Sequence, residues 1–263
     1  MTDLAHVKNF AIDFARYAGE QARADFRKGV GKEIKEDGSI VTSTDKIINA
    51  NLIKAVKREF PCHSVVSEEE SYLGKSNMVW FGDPIDGTLA FYNGLPTFAF
   101  SLAFTVSGIA LVGVVYEPIS DRMYYAIEGK GSFMNGEKLS VSKDNSIKGS
   151  VFGFSYWTGA QTDPMDLKKL HAEIVEKGGS VLMPGSIVYN GARVAAGKFA
   201  AALHPAKDSY DSAALDVIIS ESGGKVTDLE GNKIMYDGRK IKGAIMSNGI
   251  LHEQLLSMIK ERA

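Results

Sequence analysis

The sequence predicts a mixed α and β protein whose first half is built on a mainly antiparallel sheet and whose second half alternates helix with strand. Two patterns carry this. Strand signals dominate the first half, at Ser64 to Ser67, Met78 to Gly82, Pro96 to Val106, Ile109 to Glu117 and Met123 to Ile127. After about residue 145 helical periodicity returns between strands, near 164 to 177, 187 to 197, 211 to 222 and 250 to 261. No repeat, low-complexity tract or long linker separates the halves. The expected organisation is therefore an α+β half over 1–145 and an α/β half over 146–263, packed as one unit with a site between them.

The elements follow in order. Phe10, Phe14, Tyr17 and Ala18 recur at helical spacing, so the first ~28 residues read as an amphipathic helix ending near Gly29 and Gly31. Lys32 to Thr42 is polar and aperiodic, a loop with room for short edge strands. Thr42, Ser43 or Thr44 can cap the next helix, whose apolar face is Ile47, Ile48, Leu52 and Val56 and which Pro61 stops. Phe98, Phe100, Leu102, Phe104 and Val106 alternate with small or polar residues, the period of a half-buried strand and not of a membrane span, and Ser107-Gly108 reads as a hairpin turn.

Composition narrows the function. Lys+Arg 30 against Asp+Glu 32, a formal net charge of -2, leaves no excess positive charge to hold a nucleic acid. The single cysteine, Cys62, excludes an intramolecular disulfide, suits a reducing cytoplasm, and reads as a small buried hydrophobe. The N-terminal Asp3, His6 and Lys8 interrupt any apolar export signal. No G-x-x-x-x-G-K-[ST] phosphate loop is present, and Gly129-Lys130-Gly131 reads as turn chemistry. The histidines show no zinc-ligand spacing.

Three acidic clusters stand out. Trp80 to Thr88 runs from an apolar strand into Asp83-Pro84-Ile85-Asp86-Gly87-Thr88. Pro84 biases Asp83 toward extended backbone, so the two carboxylates and the Ile85 carbonyl can converge on a hard divalent cation, while Gly87 and Thr88 offer backbone N–H groups to a phosphate. An ordinary Asp-Pro surface turn would share this string. Glu68, Glu69 and Glu70 follow a strand; they read either as a solvated run or as a site, with Glu68, nearest the strand, as the ligand. Asp211, in Tyr210-Asp211-Ser212-Ala213-Ala214, reads as the N-terminus of a helix, a plain cap or a third ligand, with the two alanines allowing close packing beneath it.

Together, Asp83-Pro84-Ile85-Asp86-Gly87-Thr88, Glu68-Glu69, Tyr210 to Ala214 and Glu221-Ser222-Gly223-Gly224 resemble the inositol monophosphatase family. Val41 to Asp45, Gly129 to Gly136 and Gly185-Ser186 agree, so the resemblance spans roughly residues 5 to 260. It implies a layered α-β-α-β-α sandwich, usually a homodimer, and a lithium-sensitive Mg²⁺-dependent phosphomonoesterase acting on a small phosphorylated metabolite. It implies Glu68, Asp83 and the Ile85 carbonyl at one Mg²⁺, Asp83, Asp86 and Asp211 at a second, and a third ion at Glu68. Thr88 paired with Asp45 would orient the attacking water. Gly87 and Thr88 would hold the phosphate, and Asp86, Ser186, His204 and Asp211 would lie at the substrate.

Departures from the inositol-specific pattern bear on substrate. Those members carry an Asp where Ser39 stands, and Asp37-Gly38-Ser39 resembles the loop of histidinol-phosphate and nucleotide phosphatases, with Asp37 as the loop acid. A Glu that grips ring hydroxyls is replaced by His204 or a near neighbour, Lys207 is either a second substrate contact or solvated, and the usual Trp is Tyr210. The alternatives are therefore a histidinol-phosphate phosphatase, a fructose-1,6-bisphosphatase or a 3′(2′),5′-bisphosphate nucleotidase. From another class, a non-catalytic metal-dependent binding protein would keep the same fold.

Overall fold

A computed structural model describes residues 2–36, 38–155, 166–205, 208–239 and 241–261. Helix α1, Leu4–Lys28, opens under the side chain of Asp3, which accepts the backbone N–H groups of Ala5 and His6. Its buried stripe is Val7, Ala11, Phe14, Ala15, Ala18 and Ala22, three and four residues apart. A hairpin of β1, Lys32–Ile34, and β2, Ile40–Thr42, occupies the segment read as a loop with edge strands. Helix α2, Ser43–Glu59, follows with Thr42 as its cap in a reciprocal capping box with Asp45. Cys62, read as buried, is exposed, because it falls in the turn after Pro61 and not on a strand face.

The first sheet has seven strands in chain order: β3, Ser64–Ser67; β4, Met78–Asp86; β5, Ala99–Val106; β6, Ile109–Glu117; β7, Arg122–Ile127; β8, Ser132–Met134; and β9, Glu137–Lys138. All neighbours are antiparallel except β3 and β4. Ser107 and Gly108, both at positive φ (51° and 79°), make the tight β5–β6 turn that matches the twist of the strands. A one-turn helix α3, Thr88–Tyr92, leaves the end of β4.

The second sheet is formed by β10, Val151–Phe154; β11, Ser180–Leu182; β12, Ala201–His204; β13, Lys225–Thr227; and β14, Ala244–Ser247, in the order β11-β10-β12-β14-β13. β10 pairs parallel with both neighbours, as crossover connections require, and β14 pairs antiparallel. Helices α4, Leu167–Glu176, α5, Ile187–Ala195, α6, Ala213–Glu221, and α7, His252–Lys260, complete the chain. Three apolar cores then define five layers. α1 and α2 pack on one face of the first sheet, α5 and α6 fill the space between the sheets, and α4 and α7 cover the far face of the second sheet. The result is the α-β-α-β-α sandwich.

Two contacts seat α6. A Cβ at Gly113 of β6 would meet the Ala214 carbonyl at 2.3 Å, so the helix lies directly on the strand, and Ala213 and Ala214 are fully buried as their size suggested. At the other end of α6, Glu221 accepts the backbone N–H groups of Gly129 (2.7 Å) and Gly131 (2.6 Å). The Gly-Lys-Gly string is therefore a turn whose donors are tied to a carboxylate some 90 residues away. Glu221→Ala leaves both donors without that acceptor. Urea unfolding should show a loss of about 1–3 kcal/mol; an unchanged midpoint would mean that the clamp contributes nothing.

Candidate active site

Strand β4 sets the geometry of the site. Asp83 pairs with Ser101 and Asp86 with Ala99, so three steps on β4 oppose two on β5. Residues three apart in a regular strand point to opposite faces; one extra residue restores the phase, and both carboxylates emerge on the side of α5 and α6. Pro84 fits this bulge because it has no N–H to lose from the ladder. The Ile85 N–H turns back onto Asp83 Oδ1 at 3.0 Å. The strand runs to Asp86, beyond the end expected at Gly82.

Asp211 arrives from the other half. It was expected to open α6, but it is the last residue of a 3₁₀ turn, Ser209–Asp211, and Ser212 precedes the helix. The cause is local: the Asp211 carboxylate accepts the Asp208 N–H at 2.9 Å and closes the turn. Oxygens of Asp83, Asp86 and Asp211 lie within 4.8 Å of one another, and all three residues are buried. Burial, then the charges of Glu68, Asp86 and Asp211, push the Asp83 carboxyl well above its ordinary range.

Asp86 is held by Ser186, whose hydroxyl donates to Oδ2, and by the Val188 N–H at 2.8 Å. Ser186 also caps α5, accepting the Tyr189 N–H at 2.9 Å. Expected at the substrate, it holds Asp86 in this structure. Gly87 has φ 88°, and a Cβ there would meet Ser186 Cβ at 2.9 Å, so only glycine serves at this junction. The Thr88 hydroxyl lies 3.0 Å from the Ile85 carbonyl and 3.5 Å from Asp45 Oδ1. The other Asp45 oxygen accepts from the Thr42 N–H at 2.9 Å and from the Thr42 hydroxyl. One residue is thus both the capping-box acid of α2 and the neighbour of Thr88. Burial raises its carboxyl to about 7, against the hydrogen bonds from Thr42.

Glu68 stands outside the carboxylate trio. Its Oε1 is 2.9 Å from Lys35 Nζ, which also reaches Glu69 at 2.7 Å. Burial disfavours the Lys35 charge, but the bond to Glu69 and the charge of Glu68 outweigh it and raise its pKa. In the sequence Lys35 is one lysine in a polar loop; only the fold brings it to acids more than 30 residues away. His204 is turned inward and almost fully buried. Its Nδ1 is 2.9 Å from the Pro205 carbonyl and its Nε2 3.1 Å from the Ser212 hydroxyl. A carbonyl only accepts, so in the neutral ring Nδ1 carries the proton and Nε2 receives the serine's. His204 therefore braces the turn that presents Asp211. Asp37 and Lys207 lie outside the described residues.

This donor set fits a hard divalent cation: three buried carboxylates with oxygens within 4.8 Å of one another. Two buried carboxyls with raised pKa values, Asp45 and Asp83, also give the protein a pH signature. Asp45 and Asp83 bind protons more tightly in the folded than in the unfolded chain, so their contribution to metal-free stability is greatest at low pH and falls as pH rises, for Asp45 from about 4 through about 7, while buried His252, lowered to about 4, contributes the opposite slope. Urea titrations in chelator should show the Asp45 share of this fall, about 2–4 kcal/mol, when the parent is compared with a variant that cannot titrate there. Asp45→Asn should flatten it, and Mg²⁺ should restore stability at pH 8. The same pH dependence in the parent and in Asp45→Asn would contradict the assignment of Asp45.

Residues 3–262 match the model of the inositol monophosphatase family. A fructose-1,6-bisphosphatase/inositol-1-monophosphatase of Thermotoga maritima is 32% identical over 225 residues, 84% of this chain and 83% of that protein. The Nus factor SuhB of Haemophilus influenzae is 30% identical over 239 residues, 89% of each chain. Among solved structures, a Thermotoga maritima IMPase superposes with a TM-score of 0.87 at 29% identity over 96% of both chains. An IMPase/NADP phosphatase complexed with Mg²⁺ and phosphate does so at 0.83 and 25% identity, over 98% of this chain and 96% of the other. With the five-layer fold and a family match over residues 3–262, the chain belongs to the inositol monophosphatase family.

Proposed function

We propose that the protein is a Mg²⁺-dependent phosphomonoesterase that hydrolyses a small phosphorylated polyol, sugar or amino alcohol by direct attack of water. The observation that carries this reading is the convergence of buried Asp83, Asp86 and Asp211. Three like charges in so small a space call for a multivalent cation, and the solved relative complexed with Mg²⁺ and phosphate supports that choice. Asp83, Asp86, Asp211 and the Ile85 carbonyl would hold the first two ions. Glu68 would join them, and would serve a third, once it parts from Lys35. The ions supply charge neutralisation for the phosphate oxygens and acidify water.

The chain's own groups do the remainder. Backbone N–H groups of Gly87 and Thr88 hold the phosphate. Thr88 and Asp45 orient the incoming water, and Asp45, with a carboxyl raised to about 7, is able to take up its proton. The phosphorus–oxygen bond to the alcohol breaks as the bond to water forms, releasing inorganic phosphate and the alcohol. A buried His204 in place of an acid that would grip ring hydroxyls widens the choice beyond inositol phosphate. It keeps the histidinol-phosphate, fructose-bisphosphate and 3′(2′),5′-bisphosphate readings in the same panel. The setting is the cytoplasm, where the lone Cys62 needs no partner; among the described residues no helix is long and apolar enough to cross a membrane.

Phosphate release from inositol 1-phosphate, histidinol phosphate, fructose 1,6-bisphosphate and adenosine 3′,5′-bisphosphate should occur for at least one member with Mg²⁺, stop in chelator, and fall in lithium. Asp83→Asn and Asp211→Asn should each cut kcat at least about 100-fold, on the scale of lost electrostatic stabilisation, with the fold retained. Near-normal turnover in either variant would remove that residue from the mechanism. No release from a folded, metal-loaded protein would favour the binding-protein alternative. We also propose a homodimer. Exposed Leu95, Leu182 and Met183 flank the Thr97–Pro184 hydrogen bond, an apolar surface suited to self-association. Light scattering should give twice the chain mass, and a monomer at micromolar concentration would reject it.

A further inference from the structure

A second cavity, of about 340 Å³, lies between the flank of α1 and the β7–β8 end of the first sheet. Along α1, Lys8 and Arg16 line it; eight residues apart, they share one helix face. Neither has a carboxylate partner among the described residues; Lys8 reaches only over the Tyr125 ring, 5.6 Å from its centroid.

The one acid in the wall, Asp121, is already engaged. Its Oδ1 accepts the Tyr116 hydroxyl at 2.6 Å, and that hydroxyl accepts Arg23 Nη2 at 2.7 Å. Arg23 thus stands one hydroxyl behind the wall, and the lining sets two cations, Lys8 and Arg16, against the single carboxylate of Asp121. The rim is also rigid. Asp121 and Asn135 both adopt φ 51°, and the Asn135 side chain accepts the Met123 N–H at 2.8 Å while donating to the Asp121 carbonyl at 2.8 Å. Two left-handed non-glycine residues are locked together beside two free cations, which makes a preformed polar pocket with a positive lining.

This pocket is separate from the carboxylate trio. Asp83 shares the face of Phe81, toward α5 and α6, whereas Tyr116 and Met123 belong to the opposite core, under α1 and α2. β4 and β7 are three strands apart, about 14 Å at the usual strand spacing.

We propose that this pocket is a second binding site, for a small polyanionic metabolite whose phosphate or carboxylate groups are held by Lys8 and Arg16 and whose remaining surface rests on Tyr125. The test is an NMR amide titration of the full chain in chelator, with no Mg²⁺ present to recruit anions to the carboxylates. Inorganic pyrophosphate and citrate are the probes, each against sodium chloride at matched ionic strength. Saturable shifts should appear around residues 8–16, 116–125 and 135–136. Preference for pyrophosphate or for citrate would assign the natural ligand to the phosphate or the carboxylate class.

Lys8→Glu and Arg16→Glu should each weaken binding at least about tenfold, the loss of one charge-assisted contact, while melting temperature and Mg²⁺-dependent turnover stay at the parent values. No saturable shift with either probe would overturn the proposal. Shifts confined to the carboxylate trio, or affinity indifferent to both substitutions, would do the same.

Discussion

Everything at the centre of this molecule depends on the need to bury three carboxylates at one point. Asp83, Asp86 and Asp211 come from two different sheets' worth of chain and meet within 4.8 Å. In water such a cluster would separate. Here it is held together by donors aimed at each member: the Ile85 N–H on Asp83, Ser186 and Val188 on Asp86, and the Asp208 N–H on Asp211. Without a cation, burial first and the neighbouring charges of Glu68, Asp86 and Asp211 second push the Asp83 carboxyl well above its ordinary range, toward protonation. A divalent ion is the other means of neutralising the cluster, and it makes the same arrangement chemically useful.

The supporting architecture follows from that constraint. A regular strand would send Asp83 and Asp86 to opposite faces; the bulge at Pro84 and Ile85 brings them into phase. Gly87 then allows the chain to turn against Ser186 in a conformation and a space no side chain tolerates. α5 contributes its cap to Asp86 and, a few residues on, Arg193, whose guanidinium donates to buried Glu117 and Tyr124 of the first sheet. α6 lies directly on Gly113 and is clamped at its far end by Glu221. The sheet of one half and the helices of the other are thereby locked around the carboxylates.

Local sequence was a good guide where the cause is local. The stripes of α1 and α2, the alternation along β5 and the Ser107-Gly108 turn all report short-range physics and are found in the structure. The three acidic clusters were legible as residue types in unusual strings, and Asp83, Asp86 and Asp211 do converge. What could not be read locally depends on distant chain segments. Lys35 on Glu68 and Glu69 and Ser186 on Asp86 are set by tertiary packing, with separations of up to 100 residues. Cys62 failed for a related reason: a small apolar residue is usually buried, but a turn after proline overrode the preference.

The central claim is that the carboxylate trio is a metal site serving phosphate chemistry. Its most direct test is a crystal structure grown with Mn²⁺, with anomalous scattering locating the ions independently of any assumed ligand. The account predicts anomalous peaks touching carboxylate oxygens of Asp83, Asp86 and Asp211, with Glu68 turned from Lys35 toward an ion. Peaks only at other positions, or none in crystals of protein that turns over substrate, would contradict it.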